Sequence, residues 1–132
     1  MVKRTSDVLD EYEAYRTKQH AQGRTKDGAL RQIVRVSRFW REFAGKRPIT
    51  AIDNTAFADF VEWRRDYYAG VPDAKLPPNA KRQPTDKEVQ YNIVVMKGVL
   101  KWARQRGYLG NVPAPTYTGV SLLPPVEKIG CD

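Results

Sequence analysis

Residues 85–113, TDKEVQYNIVVMKGVLKWARQRGYLGNVP, constrain the fold more than any other stretch of the sequence. Thr85 followed by Glu88 is a capping box, which predicts a helix over about 86–106. Two apolar rows run along this helix: Val89, Ile93, Met96, Leu100 and Ala103 in one, and Val95, Val99 and Trp102 in the other. Because two rows need more than one neighbour to bury them, we predict that this helix is the central member of a helical bundle.

Three other segments have helical periodicity and are separated by turn residues. They predict helices over about 6–22, 27–44 and 55–69. The loop 70–84 holds four prolines, but the helix after it cannot bury its own apolar faces, so the loop does not divide the chain into domains. We therefore predict an all-α fold, a four-helix bundle in one domain over 1–113, followed by an extended tail or linker over 114–132.

Apolar spacing also predicts which side chains form the core. The inward face of the second helix is predicted to hold Leu30, Ile33, Val34, Ser37, Trp40 and Ala44, extended by Val36 and Phe43. The three tryptophans, Trp40, Trp63 and Trp102, lie at or near apolar helix positions and are predicted to be core anchors.

The balance of charge favours an anionic partner. The chain has a net charge of +8 and a pI of about 9.7, which points to nucleic acid first and to an acidic membrane surface second. Cys131 is the single cysteine, so a reducing compartment is expected and a cysteine-based metal site is not. With no apolar run of about 18 residues, the sequence predicts no membrane span, and the expected location is cytoplasmic.

The two signs of charge are sorted between the helices. Residues 6–22 and 53–69 each hold four acidic and two basic residues. Residues 24–47 hold eight basic and two acidic residues, and 85–107 hold five basic and two acidic. The second and fourth predicted helices are therefore the basic ones, and the first and third are acidic.

Within the basic helices the charges form stripes. At 100° per residue, Arg31, Arg35 and Arg38 lie opposite the apolar face of the second helix. In the fourth helix the shared stripe is Gln90, Lys97, Lys101 and Arg104. Such stripes can track the phosphates of a duplex, and arginine or glutamine can read base edges. A charged stripe is also the ordinary solvated face of a helix, so this interpretation stays open on charge alone.

Residues of the kinds that catalyse reactions are sparse. His20 is the only histidine, and neither it nor Cys131 has a partner suited to a metal site or a nucleophile pair. The glycine-containing segment GRTKDG lacks the lysine and hydroxyl ending of a phosphate loop. We identify no active site and expect no cofactor.

The order of residues resembles the N-terminal core-binding domain of tyrosine recombinases, the phage integrase family, over about 5–113. The most specific part is the last helix and its turn, where the matching residues are Lys97, Trp102, Ala103, Gly107, Tyr108, Leu109 and Asn111. The segments LRQIVRVSRFWREFAGKRPITAID and ADFVEWRRDYYAG are similar to the second and third helices of that domain.

The resemblance implies a small SAM-like orthogonal bundle that lies on one face of DNA. A separate C-terminal catalytic domain clamps the other face, and helices two and four are the ones that face DNA. The family cleaves DNA with a tyrosine supported by arginines, a lysine and histidines, a set that cannot be placed in this chain. We therefore expect a non-enzymatic part of a recombinase, and Tyr91, Tyr108 and Tyr117 are not candidate nucleophiles.

The resulting hypothesis is a module that binds double-stranded DNA, with other recombinase protomers as partners in the full-length protein. The candidate DNA-binding residues are Arg24, Thr25, Lys26, Arg31, Arg35, Arg38, Lys87, Gln90, Tyr91, Lys97, Lys101 and Arg104. Among them Thr25, Gln90 and Tyr91 are expected nearer the bases. The alternative is a protein-interaction bundle, which exposure of Phe60, Trp63 and Tyr67 would favour.

Overall fold

The fold, seen in a computed structural model that describes residues 2–78, 80 and 82–117, contains four α-helices. They are α1 (Thr5–Ala21), α2 (Asp27–Ala44), α3 (Asn54–Arg65) and α4 (Asp86–Gln105). Two single 3-10 turns, Ile49–Ala51 and Asp73–Lys75, lie in the connectors. The described residues form no strand, so the predicted all-α fold of four helices is confirmed. Most of the predicted tail, residues 118–132, lies outside the described residues.

Side-chain caps begin the last two helices. The Thr85 hydroxyl accepts the N–H of Glu88 at 3.1 Å, and the Asp53 carboxylate accepts the N–H of Ala56 at 2.9 Å. Each cap satisfies a backbone donor that has no partner inside its helix. The first turn of α1 instead donates to the connector after α2, with Thr5 N bonded to the Arg47 carbonyl at 2.8 Å. This bond places the start of α1 beside the end of α2.

A Schellman motif ends α4. Gly107 has φ of +82°, and its N–H donates to Arg104 while the N–H of Tyr108 reaches back to Ala103, both at 3.0 Å. Glycine suits this position because a left-handed conformation is strained for other residues. The reversal directs Leu109 into the core and brings the Tyr108 hydroxyl to Glu11 of α1 at 2.5 Å.

Trp40 of α2 is the centre of an aromatic core. It is fully buried and stacks on Phe60 of α3 with ring centroids 3.8 Å apart, while Phe43 and Phe57 present edges to it. Its indole N–H donates to the main-chain carbonyl of Asn92 in α4 at 3.1 Å. One side chain thus packs or bonds with two neighbouring helices and keeps its polar atom satisfied.

The tryptophan prediction is confirmed for Trp40 and Trp102, which are both buried. Trp63 is half-buried and packs against Phe43, Phe60 and Tyr67.

Two sequence expectations about the fold are wrong. The third helix ends at Arg65 and not near residue 69. Beyond it the chain forms a turn in which Tyr67 packs edge-on against Phe39 and donates its hydroxyl to Glu42, so contacts with α2 redirect the backbone. Val34, predicted to face inward, is 44% exposed, whereas Phe39, which was not predicted on the inward face, is buried on the other side of that face.

A buried polar network joins α2, α3 and α4. Arg64 of α3 is only 4% exposed, and its Nε donates to the Asn92 side-chain oxygen at 3.0 Å. The Asn92 amide nitrogen donates to Glu88 at 3.0 Å. Glu88 in turn pairs with Arg64 at 3.5 Å and with Arg35 of α2 at 2.8 Å. The carboxylate of Glu88 therefore balances two guanidinium groups that belong to two other helices.

We predict that Asn92→Ala destabilises the fold by about 3 kcal/mol, because it removes the partner of a buried guanidinium and one donor to Glu88. Urea unfolding followed by far-UV circular dichroism measures this change. The matched control is Gln105→Ala, an exposed position of the same helix that should change stability by less than about 0.5 kcal/mol. Equal stability of the two variants would contradict a structural role for the network.

Candidate nucleic-acid interface

The three arginines of the α2 stripe, Arg31, Arg35 and Arg38, differ in exposure and in pairing. Arg31 and Arg38 are exposed and make no ion pair within the described residues. Arg35 is half-buried, and its two terminal nitrogens lie 2.8 and 3.1 Å from the two carboxylate oxygens of Glu88. Arg35 therefore forms a structural ion pair with Glu88. The exposed cations of the stripe that remain for a partner are Arg31 and Arg38.

The exposed face of α4 differs from the predicted stripe. Its exposed positions include Lys87, Tyr91, Val94 and Lys101, which recur at helical spacing. Val94, at 52% exposed, lies between the two lysines on this face and was not among the predicted site residues. Basic groups thus flank a small apolar patch made by Tyr91 and Val94.

Lys97, Gln90 and Arg104 lie to one side of that face and are half-buried. The Lys97 ammonium donates to the Tyr117 carbonyl at 2.8 Å, and Arg104 donates to the Val112 carbonyl at 2.5 Å. The segment 112–117 therefore lies along α4 and occupies both cations. Carbonyl oxygens leave the charge of each cation in place, so the segment covers these groups without neutralising them.

The same segment is fixed at its other side by α3. Asn54 donates to the Thr116 hydroxyl at 3.0 Å and accepts the N–H of Tyr117 at 2.8 Å. The Tyr117 ring is parallel to Phe57, with centroids 5.9 Å apart. This docking of residues 112–117 could not be read from the sequence, where the region after 113 has no periodic pattern.

The loop before α2 contributes two exposed cations, Arg24 and Lys26. Thr25 between them is 7% exposed and its hydroxyl has no hydrogen-bond partner in the described part of the chain. Thr25 is therefore a buried residue here, whereas the sequence placed it near the bases of a bound duplex.

Two arginines outside the candidate set are paired with carboxylates of neighbouring helices. Arg41 of α2 lies 2.7 Å from Asp10 and 2.5 Å from Glu13 of α1, and Arg65 of α3 lies 3.2 Å from Asp86. By contrast, six of the candidate residues are exposed cations that make no ion pair with any described residue: Arg24, Lys26, Arg31, Arg38, Lys87 and Lys101. Lys18 and Lys46 are also exposed without one, so unpaired charge alone does not define the interface.

Glu88 sets how much positive charge remains on this side of the bundle. Burial alone would raise the pKa of Glu88, but hydrogen bonds from Arg35 and Asn92, with the charges of Arg35 and Arg64, outweigh it and leave the pKa below its ordinary value. Burial lowers the pKa of Arg64 against the opposing charge of Glu88. Glu88 is therefore ionised at neutral pH and holds Arg35 in place.

Sequence reasoning counted Arg64 only toward the charge of its helix and missed its burial. A signal was present, because Arg64 follows Phe60 by four positions and Val61 by three, which places a cation in the apolar row of α3. Val94 was missed for the opposite reason. Val94 is an apolar residue among basic ones, and only polar and aromatic side chains there were predicted to bind DNA.

Comparison with protein-family models, with curated protein sequences and with solved structures returns no match. Within the described residues, no cluster of three or more histidine, cysteine or acidic side chains is arranged to hold a metal ion. None of the described helices is both long and apolar enough to cross a membrane.

We predict that Glu88→Gln lowers the free energy of unfolding by about 2–3 kcal/mol at pH 7, since Arg64 then lacks its counter-charge. Because folding lowers the pKa of Glu88, its contribution is present above the unfolded pKa and is lost as pH falls through the folded pKa. The difference between wild type and variant should therefore shrink below about pH 4.5.

Urea unfolding from pH 7 to pH 3 measures that difference. The control is Glu62→Gln, an exposed position on α3. A gap between wild type and Glu88→Gln that stays constant over this pH range would show that the Glu88 charge is not what stabilises the network.

Proposed function

We propose that this chain is a DNA-binding module of a site-specific tyrosine recombinase, and that it contacts duplex DNA through α2 and α4. In this proposal a separate catalytic domain completes the clamp around the core recombination site. The proposal is supported by the resemblance of residues 5–113 to the core-binding domain of that family. It is also supported by the charge pattern, which places the excess of basic residues on the second and fourth helices.

The observation that carries the proposal is the state of the cations on α2 and α4. Arg31, Arg38, Lys87 and Lys101 are exposed and unpaired within the described residues, whereas Arg41 and Arg65 are neutralised by carboxylates. Exposed unpaired cations on two packed helices suit the regular spacing of duplex phosphates.

Roles within the interface follow from exposure. Arg24, Lys26, Arg31 and Lys101 are placed to neutralise phosphates, and Tyr91 with Val94 offers apolar contact to sugars or to thymine methyl groups. Lys97 and Arg104 can join only by exchanging a carbonyl of the segment 112–117 for a phosphate oxygen. We therefore assign them to a second step of binding.

The alternative, a protein-interaction bundle, depends on apolar exposure along the third helix. Phe60 is fully buried there, and Trp63 and Tyr67 are half-buried against the core. Of the exposed large apolar residues, Val34, Tyr91 and Val94 lie on α2 and α4 among the cations, and Tyr15 lies on α1. An acidic protein partner would therefore use the same face, and the experiment below separates the two partners.

We predict that random duplex DNA shifts the amide resonances of α2 and α4 in 15N-labelled protein, and that the shifts fade as salt is added. Each phosphate neutralised contributes a slope of about −0.9 in a plot of log affinity against log salt. Lys101→Ala should weaken binding and make this slope shallower by about one contact.

The matched control is Lys18→Ala, an exposed lysine of the acidic helix α1, which should leave both affinity and slope unchanged. Absence of shifts even at low salt would remove duplex DNA as the partner and favour the protein-interaction bundle. Equal effects of the two lysine variants would mean that binding follows net charge and not this face.

A further inference from the structure

A cleft of about 690 Å³ opens between α2, the end of α3, the start of α4 and the proline-rich loop after α3. Its charged lining consists of Arg35, Arg38, Arg64 and Glu88, and its apolar lining includes Tyr68 and prolines of the loop. Arg82 fixes the loop by pairing with Asp73 and donating to the Tyr68 carbonyl at 3.1 Å. The cleft therefore has a charged floor and an apolar wall.

Arg64 is the most buried of the three arginines that line this cleft. Its Nε is bonded to Asn92 and its Nη2 pairs with Glu88, but its Nη1 is buried without a hydrogen-bond partner among the described residues. The guanidinium carbon lies 4.0 Å from the ring centroid of Phe39, which fixes the plane of the group. A buried, charged donor without a partner is costly, and Arg64 lines the cleft, so an anion that enters beside its guanidinium is favoured.

The balance of charge selects the kind of anion. Among the described residues that line the cleft, three guanidinium groups face one carboxylate, which is an excess of two positive charges. A phosphate monoester carries about −1.5 to −2 near pH 7, whereas a carboxylate or a phosphodiester carries about −1. Guanidinium groups also match phosphate oxygens in geometry. The monoester therefore fits the charge best.

The volume of the cleft and its apolar wall indicate which organic group carries the phosphate. Pockets for organic ligands have volumes of about 300–1,000 Å³, so this cleft exceeds the needs of an inorganic ion. We propose that it binds a nucleoside monophosphate, with the phosphate at Arg38 and Arg64 Nη1 and the nucleoside against Tyr68 and the prolines. The site takes a terminal phosphate, which the interior of a duplex does not offer, so the proposal does not rest on duplex binding.

The test is a titration of 15N-labelled protein with AMP, with adenosine and inorganic phosphate in parallel. AMP should shift the resonances of the cleft residues, adenosine should not, and inorganic phosphate should bind about tenfold more weakly than AMP or worse. Cleft residues that do not respond to millimolar AMP, or that respond equally to adenosine, would overturn the proposal. Equal affinity for AMP and inorganic phosphate would overturn the nucleoside part.

Two arginines of α2 provide a matched pair of variants. Arg38 lines the cleft and Arg31 does not, although both are exposed and unpaired within the described residues. Arg38→Ala should weaken AMP binding about tenfold or more, as expected for one charge-assisted hydrogen bond, while Arg31→Ala leaves it unchanged. Equal losses in the two variants would overturn the site.

The nucleotide has two possible sources, a free mononucleotide or the phosphorylated 5′ end of a DNA strand. A four-nucleotide strand with and without its 5′ phosphate separates them. Cleft shifts that require the 5′ phosphate assign the site to strand ends, and AMP binding without a matching response to the phosphorylated strand assigns it to free nucleotides. Retained AMP binding in a variant that has lost duplex binding shows that the two functions are separate.

Discussion

The structure depends on one carboxylate, Glu88, which balances two arginines from different helices. Arg35 reaches it from α2, Arg64 from α3, and Asn92 completes the set from α4. Burial of the Arg64 guanidinium is offset by its hydrogen bond to Asn92 and its ion pair with Glu88, so this network constrains the relative position of three helices together with the apolar packing. Trp40 adds a bond to the main chain of Asn92, so the aromatic core and the polar network share a residue.

The network also determines the electrostatics of the outer surface. Since Glu88 neutralises Arg35, the basic stripe of α2 is reduced to the cations above and below it along the helix. The acidic groups of α1 likewise take Arg41 out of the surface charge. Six exposed cations without an ion pair among the described residues lie on α2, α4 and the loop 24–26, while others, such as Lys18 and Lys46, lie elsewhere on the bundle.

Local signals predicted the fold well. The bounds of α2 and the start of α4 were correct, because caps and turn residues act within a few positions of the sequence. Errors arose where distant contacts decide. The end of α3 depends on Glu42, and the covering of Lys97 depends on Tyr117. Exposed cations could be anticipated from their spacing, but the pairing of Arg35 with a residue 53 positions away could not.

The docking of residues 112–117 has a consequence for regulation. The main chain of the segment 112–117 accepts hydrogen bonds from both Lys97 and Arg104, and the segment is anchored at Asn54. Detachment of this segment would therefore release two cations together. A polyanion that binds those cations would compete with the segment 112–117. By reciprocity, a ligand that detaches the segment would strengthen polyanion binding by the same factor by which the polyanion strengthens binding of that ligand. Toward a polyanion that needs Lys97 and Arg104, this segment would be a tethered competitor, whose effective concentration is set by the length of chain that joins it to α4.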